Sequence, residues 1–394
     1  MVFPSDENAF QAWRRDAFPF LGHKIFLTHA SVSHLPAAAR DALQNYASAI
    51  STHGQFDNHH EHLYRSAKER AARLMRGANA SADEVAFAGS TSHALGIVAT
   101  SIDWKAGDNL VVCDGDFPAN VVTWKNLAFR HDIEIRLVPP LAAPRAITPE
   151  DLAPLVDNRT RLVSLASANF LSGVPLDVPE MGKWLRERNV LFCLDAIQTL
   201  GAIRLDAEYV DFVCADAHKW LLGPNGIAIL WTRKEVLQTL RPAILGWLAT
   251  AERENWFEYG TTPHPTAERF EPGARNYLGA VALEASLAQY EEVGQRAGDD
   301  FIEERVVDLR DYAARALQSR GCELLWNPDG FRGERRAGIV SFRPPQGDTQ
   351  ALYEKLDTCF SLSLRQDRNR EFWLRMSPHW MNTRADIDAL AAAL

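Results

Sequence analysis

Thiols are scarce in this chain. There are five cysteines in 394 residues (Cys113, Cys193, Cys214, Cys322 and Cys359), with no CxxC pair and no metal-ligand spacing. Cys113, Cys193 and Cys214 fall inside strand-like apolar runs, and Cys359 is read as part of a strand too. That pattern fits buried free thiols in a reducing compartment better than a disulfide framework. A cytoplasmic location is the corresponding expectation. A basic excess is also missing: 42 Lys and Arg face 51 Asp and Glu, a net charge of −9, which argues against nucleic acid as a partner. No apolar stretch is long enough to span a bilayer, so no membrane role is expected. The N-terminus lacks the basic and apolar regions of a signal peptide. There is no Walker A motif and no GxGxxG after a strand, which counts against a nucleotide-binding protein. Repeats, coiled coils and low-complexity tracts are absent as well.

What is present is an ordinary globular composition, 46% hydrophobic and 24% charged, long enough for a large domain and a smaller one. Short apolar runs at 85–88, 109–113, 133–138, 161–166, 190–194 and 210–215 alternate with helix-like stretches at 95–102, 119–130 and 179–188. This alternation predicts βα units and a mainly parallel sheet. The run 226–231 follows 210–215 after only a Gly/Pro turn, too short for a helical crossover, so that pair is predicted antiparallel. From Tyr277 the character changes to one or two long helices (277–317), strands at 338–343 and 361–365, and a terminal helix over 386–394. The segment 248–269 reads as a long aromatic loop, of the kind that tends to be functional.

The residue with most to say is Lys219, in Asp216-Ala217-His218-Lys219-Trp220-Leu221-Leu222-Gly223-Pro224. A lysine at the end of a buried strand is costly without a partner. An internal Schiff base to pyridoxal phosphate explains it, because desolvation lowers the amine's pKa and makes it nucleophilic. The bland alternative is a lysine reaching out to solvent. Four other groups follow other strands. Ser90-Thr91-Ser92 open a helix after 85–88, where backbone N–H groups cap or bind a phosphate. Phe117 follows 109–113 and can stack on a flat ring. Asn169 follows 161–166 and is placed to reach a phenolic oxygen. Asp195 ends 190–194, where a carboxylate wants a partner such as a pyridinium, with Gln198 three residues on. Each has a plain reading alone: an N-cap, a core phenylalanine, a helix-capping aspartate. In an open α/β sheet, however, ligands bind at the carboxyl ends of the strands, so these groups meet at one edge and make up a full pyridoxal-phosphate inventory.

On these residues, and most specifically on Ala215-Asp216-Ala217-His218-Lys219-Trp220-Leu221, the chain resembles the class V aminotransferase superfamily of fold type I pyridoxal-phosphate enzymes from about Phe26 onward. That superfamily includes cysteine desulfurases, isopenicillin N epimerase-like proteins and kynureninase. The resemblance implies a large α/β domain with a mainly parallel seven-stranded sheet flanked by helices, and a small C-terminal α+β domain. The expected division is 1–25 as an N-terminal segment, 26–276 and 277–394. The resemblance further implies that Lys219 and Asp195 are catalytic. It makes Ser90, Thr91, Ser92, Phe117, Asn169, Gln198, Asp216 and His218 cofactor-binding, with His218 at the phosphate and Gln198 at the phenolic oxygen. Arg365, in Ser361-Leu362-Ser363-Leu364-Arg365, aligns with the arginine that holds the substrate α-carboxylate, whereas Arg375 is read as structural. Thr28-His29-Ala30-Ser31 resembles the strand-turn lining the substrate pocket, which makes His29 a substrate-binding candidate.

Two departures matter. No cysteine follows Arg365, so the persulfide-forming thiol of the desulfurases is missing. Ala274 stands where the family has a hydroxyl reaching the partner subunit's phosphate, and Arg275 is the candidate replacement; the motif still implies a homodimer with active sites at the interface. The histidines His53, His59, His60 and His62 fit no zinc spacing, and no metal is expected; His59 and His62 are placed on one helix face near the pocket mouth. Arg332, Arg335 and Arg336 read as a solvated loop. The functional expectation is an enzyme acting on a small amino acid through a Schiff base on Lys219, with transamination favoured. Carbon–sulfur or carbon–selenium β-elimination and epimerisation are the alternatives, and a pyridoxal-phosphate-fold binding protein is the non-enzymatic rival.

Overall fold

The structure is a computed structural model that describes residues 7–55, 58–139, 144–326 and 336–394. Seven strands form the main sheet: β1 (Val85–Ala88), β2 (Asn109–Cys113), β3 (Glu134–Val138), β4 (Thr160–Ala166), β5 (Leu191–Asp195), β6 (Phe212–Asp216) and β7 (Ala228–Thr232). Their order across the sheet is β1-β7-β6-β5-β4-β2-β3. Every pair is parallel except those made by β7, which runs against both β1 and β6. The short turn before β7 forces that reversal, as the sequence predicts. The sheet is a fold type I α/β architecture.

Alternate residues of each strand serve opposite faces. Phe87, Val111, Val163, Phe192, Val213 and Ile229 pack on one side, under the helices Asn58–Arg73, Val178–Arg186 and Tyr277–Ala297. Ala86, Val112, Leu162, Cys193, Cys214 and Leu230 pack on the other, under the helix Thr91–Ser101 and Trp124 of the helix Ala119–Arg130. Both faces are therefore apolar, as a parallel sheet covered by helices requires, and the strand ends are left as the place for chemistry.

A second, antiparallel sheet is built from β8 (Glu323–Leu324), β9 (Val340–Arg343), β10 (Ser363–Gln366) and β11 (Phe372–Met376), in the order β8-β9-β11-β10. Its core joins Leu309 and Leu317 of the helix Phe301–Ser319 to Ile387 and Leu390 of the terminal helix Arg384–Ala393. The N-terminal helix Glu7–Ala17 lays Phe10, Trp13 and Ala17 on a cluster shared by Trp220, Val306, Ile339, Trp380 and Met381. Cys359 lies in an exposed turn before Phe360, not in a strand, because the chain starts to pair only at Phe360.

One glycine locks the site into this frame. Gly201 has φ +99°, and a Cβ there would sit 2.6 Å from the carbonyl oxygen of Trp220, the residue after Lys219. Gly201→Ala is expected to destabilise the protein by about 2–4 kcal/mol, from left-handed strain and a backbone clash. Denaturant unfolding would measure this. A loss under about 0.5 kcal/mol, the range of an ordinary surface change, would show that the turn yields freely.

Candidate functional site

The carboxyl ends of β1, β2, β4, β5 and β6 open on one cavity of about 220 Å³. It is lined by Ala30, Ser31, Ser90, Thr91, Ser92, Phe117, Ala119, Phe170, Asp195, Ile197, Gln198, Asp216, His218, Lys219, Arg365 and Arg375. The main sheet supplies one wall, and the turn at Ala30–Ser31 with the second sheet's Arg365 and Arg375 supplies the other.

Lys219 is buried on the turn that follows β6. That turn is tightly specified. Leu222 takes a left-handed φ of +55°, its N–H bonds the Lys219 carbonyl at 3.2 Å, and the Gly223 N–H bonds that of Ala217 at 2.8 Å. The Trp220 carbonyl accepts from the Tyr290 hydroxyl and, at 2.9 Å, faces His379 Nε2. The Lys219 Nζ lies 5.7 Å from the centre of the Phe117 ring and forms no ion pair with a described residue. Burial pushes its amine down to about 8; Arg375 and Arg365 add to the shift, against the pull of Asp195 and Asp216. Lys219 should therefore react as a free amine at a much lower pH than other lysines. In cofactor-free protein its reductive methylation is expected to reach half its plateau rate near pH 8, whereas ordinary lysines do so near their reference value of about 10.4. Peptide mass mapping across pH would check this, and co-titration with bulk lysine would contradict it.

Asp195 closes β5 with a carboxylate that is almost fully buried. Burial lifts it to about 6, opposed by the Ile197 N–H and the Lys219 charge. The Ile197 N–H donates to Oδ1 at 3.1 Å. Asp216, at the end of β6, has its Oδ1 2.6 Å from His218 Nδ1, and its own N–H donates to the Thr91 hydroxyl at 2.9 Å. Ser90 is the N-cap of the helix Thr91–Ser101, accepting from the His93 N–H at 3.2 Å. The cap reading and the phosphate reading thus coincide, since the helix N-terminus points its dipole and donors at the cavity. Phe117 lies at the cavity edge, with Phe170 edge-on at 5.4 Å. Gln198 is buried; its Nε2 makes only a 3.4 Å bond to the Ala30 carbonyl, and its Oε1 has no partner.

Three predicted site residues stand elsewhere. The Asn169 amide is consumed locally: Nδ2 donates to the Gly115 carbonyl at 3.1 Å, and Oδ1 caps the turn by accepting from Leu171 N and Ser172 N, each at 3.0 Å. It does not line the cavity. His29 is fully buried, with Nδ1 2.8 Å from the Ser33 hydroxyl and its ring among Phe20, Phe26, Trp220 and His379; Ala30 and Ser31 reach the cavity instead. Arg275 sits over the Tyr64 ring and pairs with Glu61, Glu268 and Glu271, so its charge is already answered. Among the described residues no cluster of metal ligands forms. His60 packs on Tyr46, His62 is exposed, and the His59 side chain lies outside the described residues. So do Arg332 and Arg335, while Arg336 pairs with Glu303.

The residue that sequence reasoning missed is Arg375. It is almost fully buried in β11 yet lines the cavity. Nη1 donates to the Phe170 carbonyl and Nη2 to the Ser31 hydroxyl, both at 2.5 Å, while Nε has no partner. Arg365 Nη2 reaches the same hydroxyl at 3.0 Å. Burial and Arg365 push Arg375 down from its ordinary value. A guanidinium keeps its proton near neutrality, so Arg375 stands as a buried cation with no carboxylate partner among the described residues. A signal existed: an arginine inside the apolar run Phe372-Trp373-Leu374-Arg375-Met376 is as anomalous as Lys219.

The set fits pyridoxal phosphate: a free buried amine, a carboxylate for a ring nitrogen, a buried amide with an unpartnered oxygen, an exposed aromatic face and a helix N-terminus with three hydroxyl residues. Fold and site together define a pyridoxal-phosphate enzyme. The model of the class-V aminotransferase family matches residues 25–390, and the chain belongs to that family; pyridoxal 5′-phosphate is its cofactor. A probable cysteine desulfurase of Pyrococcus abyssi is 29% identical over 277 residues, 68% of this chain and 65% of that protein's length. The uncharacterized aminotransferase YcbU of Bacillus subtilis is 26% identical over 388 residues, 96% of each chain. Among solved structures, the cystine C–S lyase C-DES in complex with its product cysteine persulfide matches with a TM-score of 0.82 at 22% identity, over 95% of this chain and 98% of that one. This likeness is one of fold.

Proposed function

We propose that this enzyme acts on a small α-amino acid, removes its α-proton and expels a sulfur or selenium substituent from Cβ. The observation that carries the amino-acid reading is the pair Arg365 and Arg375, two guanidinium groups with no carboxylate partner among the described residues, in the same cavity as Lys219. A substrate α-carboxylate supplies the missing anion through charge-assisted hydrogen bonds. Bound pyridoxal phosphate supplies an electron sink for the charge left when the α-proton goes. Asp195 would hold the proton of its ring nitrogen, Phe117 would cover a ring face, and Gln198 would meet its hydroxyl oxygen. Ser90, Thr91, Ser92 and His218 would hold its phosphate.

Lys219 Nζ takes the α-proton as general base. The Cβ–S bond then breaks as a Cα=Cβ bond forms, and the thiolate leaves with a proton from solvent or from the Lys219 ammonium. No cysteine lines the cavity. The sulfur therefore departs as a free thiol or sulfide, not on a thiol of this chain. The names of the Pyrococcus relative and of C-DES support breaking a carbon–sulfur bond. Transamination is the second reading, supported by the name of the Bacillus relative and by a base able to return the proton elsewhere. The reading includes a homodimer with active sites at its interface, and the division at 25 and 276.

A single-turnover assay with stoichiometric amino acids tests it. Release of sulfide or thiol with pyruvate and ammonia, and return of the starting absorbance, supports elimination. Pyridoxamine phosphate with a keto acid establishes transamination. A protein that takes up no pyridoxal phosphate overturns both.

A further inference from the structure

The hydroxyl shared by the two arginines has a role that the amino-acid reading leaves open. Ser31 Oγ lies 3.0 Å from Arg365 Nη2, 2.5 Å from Arg375 Nη2, 2.5 Å from Ser363 Oγ and 3.2 Å from Thr28 Oγ1. Thr28 and Ser363 are themselves 2.5 Å apart. A guanidinium only donates, and a hydroxyl has two lone pairs and one proton. Accepting from both arginines uses both lone pairs of Ser31. Its proton must then go backwards, and Ser363 is its acceptor, because the Thr28 hydroxyl faces Ser31 as a donor and has Ser363 as its nearer partner. The Ser31 oxygen is thereby fixed from behind by β10 and turned, as pure acceptor, toward two like charges.

We infer that Ser31 is a specificity-determining positioning residue: its oxygen converges Arg365 and Arg375 on one point, so that the pair takes a single carboxylate group. Two guanidinium groups left without a common acceptor repel one another. Arg375 is held besides only at the Phe170 carbonyl, and Arg365 only at the Leu364 carbonyl, at 3.3 Å. Nothing else described in the structure brings the two side chains together. The location also fits: Ser31 lines the cavity, while Thr28 and Ser363, both buried, stand behind it. The inference rests on the amino-acid reading of the site.

The experiment is a spectral titration of cofactor-loaded protein with L-alanine and with ethylamine, which differs by the carboxylate alone. The wild type is expected to prefer L-alanine at least about 100-fold, as two charge-assisted hydrogen bonds allow. Absence of that preference in the wild type sinks the amino-acid reading itself, whatever Ser31 does. Given the preference, Ser31→Ala is expected to lower it about tenfold, the weight of one such bond, with ethylamine affinity little changed. Ser31→Thr, which keeps the oxygen, is expected to restore most of it, and Ser363→Ala to give a partial loss. A preference kept within twofold in Ser31→Ala would overturn the proposal. So would an equal loss for both ligands, or a Ser31→Thr variant no better than alanine.

Discussion

Lys219→Ala is expected to cut turnover at least about 10³-fold, within the span that a positioned general base contributes. The expectation follows from where the amine sits. It is buried on a turn fixed by Leu222, Gly201 and the Trp220 carbonyl, with no ion-pair partner among the described residues, and pushed down to about 8. Folding bears the cost of holding a desolvated cation there. Removing it deletes no hydrogen bond seen in the structure, so cofactor-free Lys219→Ala should melt no lower than the wild type. Lost activity with retained melting separates chemistry from collapse. The readout closest to the step is exchange of the substrate α-proton for deuterium, followed by NMR. Exchange should vanish in the variant and return in part with added methylamine, which restores a base. Activity within tenfold of the wild type would remove Lys219 from the mechanism.

Much of this site was legible because its carriers are anomalies against a regular background. The main sheet is read from apolar runs that end within about two residues of the observed strands. The groups that break those runs, Asp195 and Lys219 above all, lie where the chain leaves the sheet. The candidates that this cavity does not gather share one physical origin: sequence gives the position of a Cα along an element, but not which neighbour its side chain meets. His29 and Ser31 are two residues apart on one turn. His29 points into an aromatic cluster formed by Phe20 with Trp220 and His379, the last two distant in sequence, and Ser31 points into the cavity. Arg275 is claimed by Glu61, Glu268 and Glu271, and no local pattern announces the first of these. Asn169 spends its amide oxygen on its own turn, a local habit of asparagine, and its Nδ2 on the Gly115 carbonyl of another loop. In β11, Trp373 and Arg375 are both buried and share a parity. Period-two patterning cannot tell a face laid on a core from one laid on a cavity.

Arg375→Met carries the second large effect, because it sets function against stability. A structural arginine and a substrate-binding arginine predict opposite melting behaviour. Arg375 is buried without a carboxylate, and its Nε has no partner, so folding bears its desolvation for no compensating ion pair. Replacing an unanswered buried charge with an apolar side chain of similar length is often neutral or stabilising by about 1–4 kcal/mol. The Phe170 carbonyl and the Ser31 hydroxyl each lose a donor, which takes back about 1–3 kcal/mol apiece where water cannot reach. These opposing terms place Arg375→Met close to the wild type in stability. Its kcat/KM for an α-amino acid is nevertheless expected to fall about 10²–10³-fold, from loss of a charge-assisted contact to the carboxylate. Thermal melting of the cofactor-free variant and kcat/KM of the loaded one decide the matter together. A large fall in melting temperature with activity lost in proportion to the folded fraction would return Arg375 to the structural role suggested by its strand. A preserved melt with the activity gone identifies it as the buried half of the carboxylate site, the half that an apolar strand concealed.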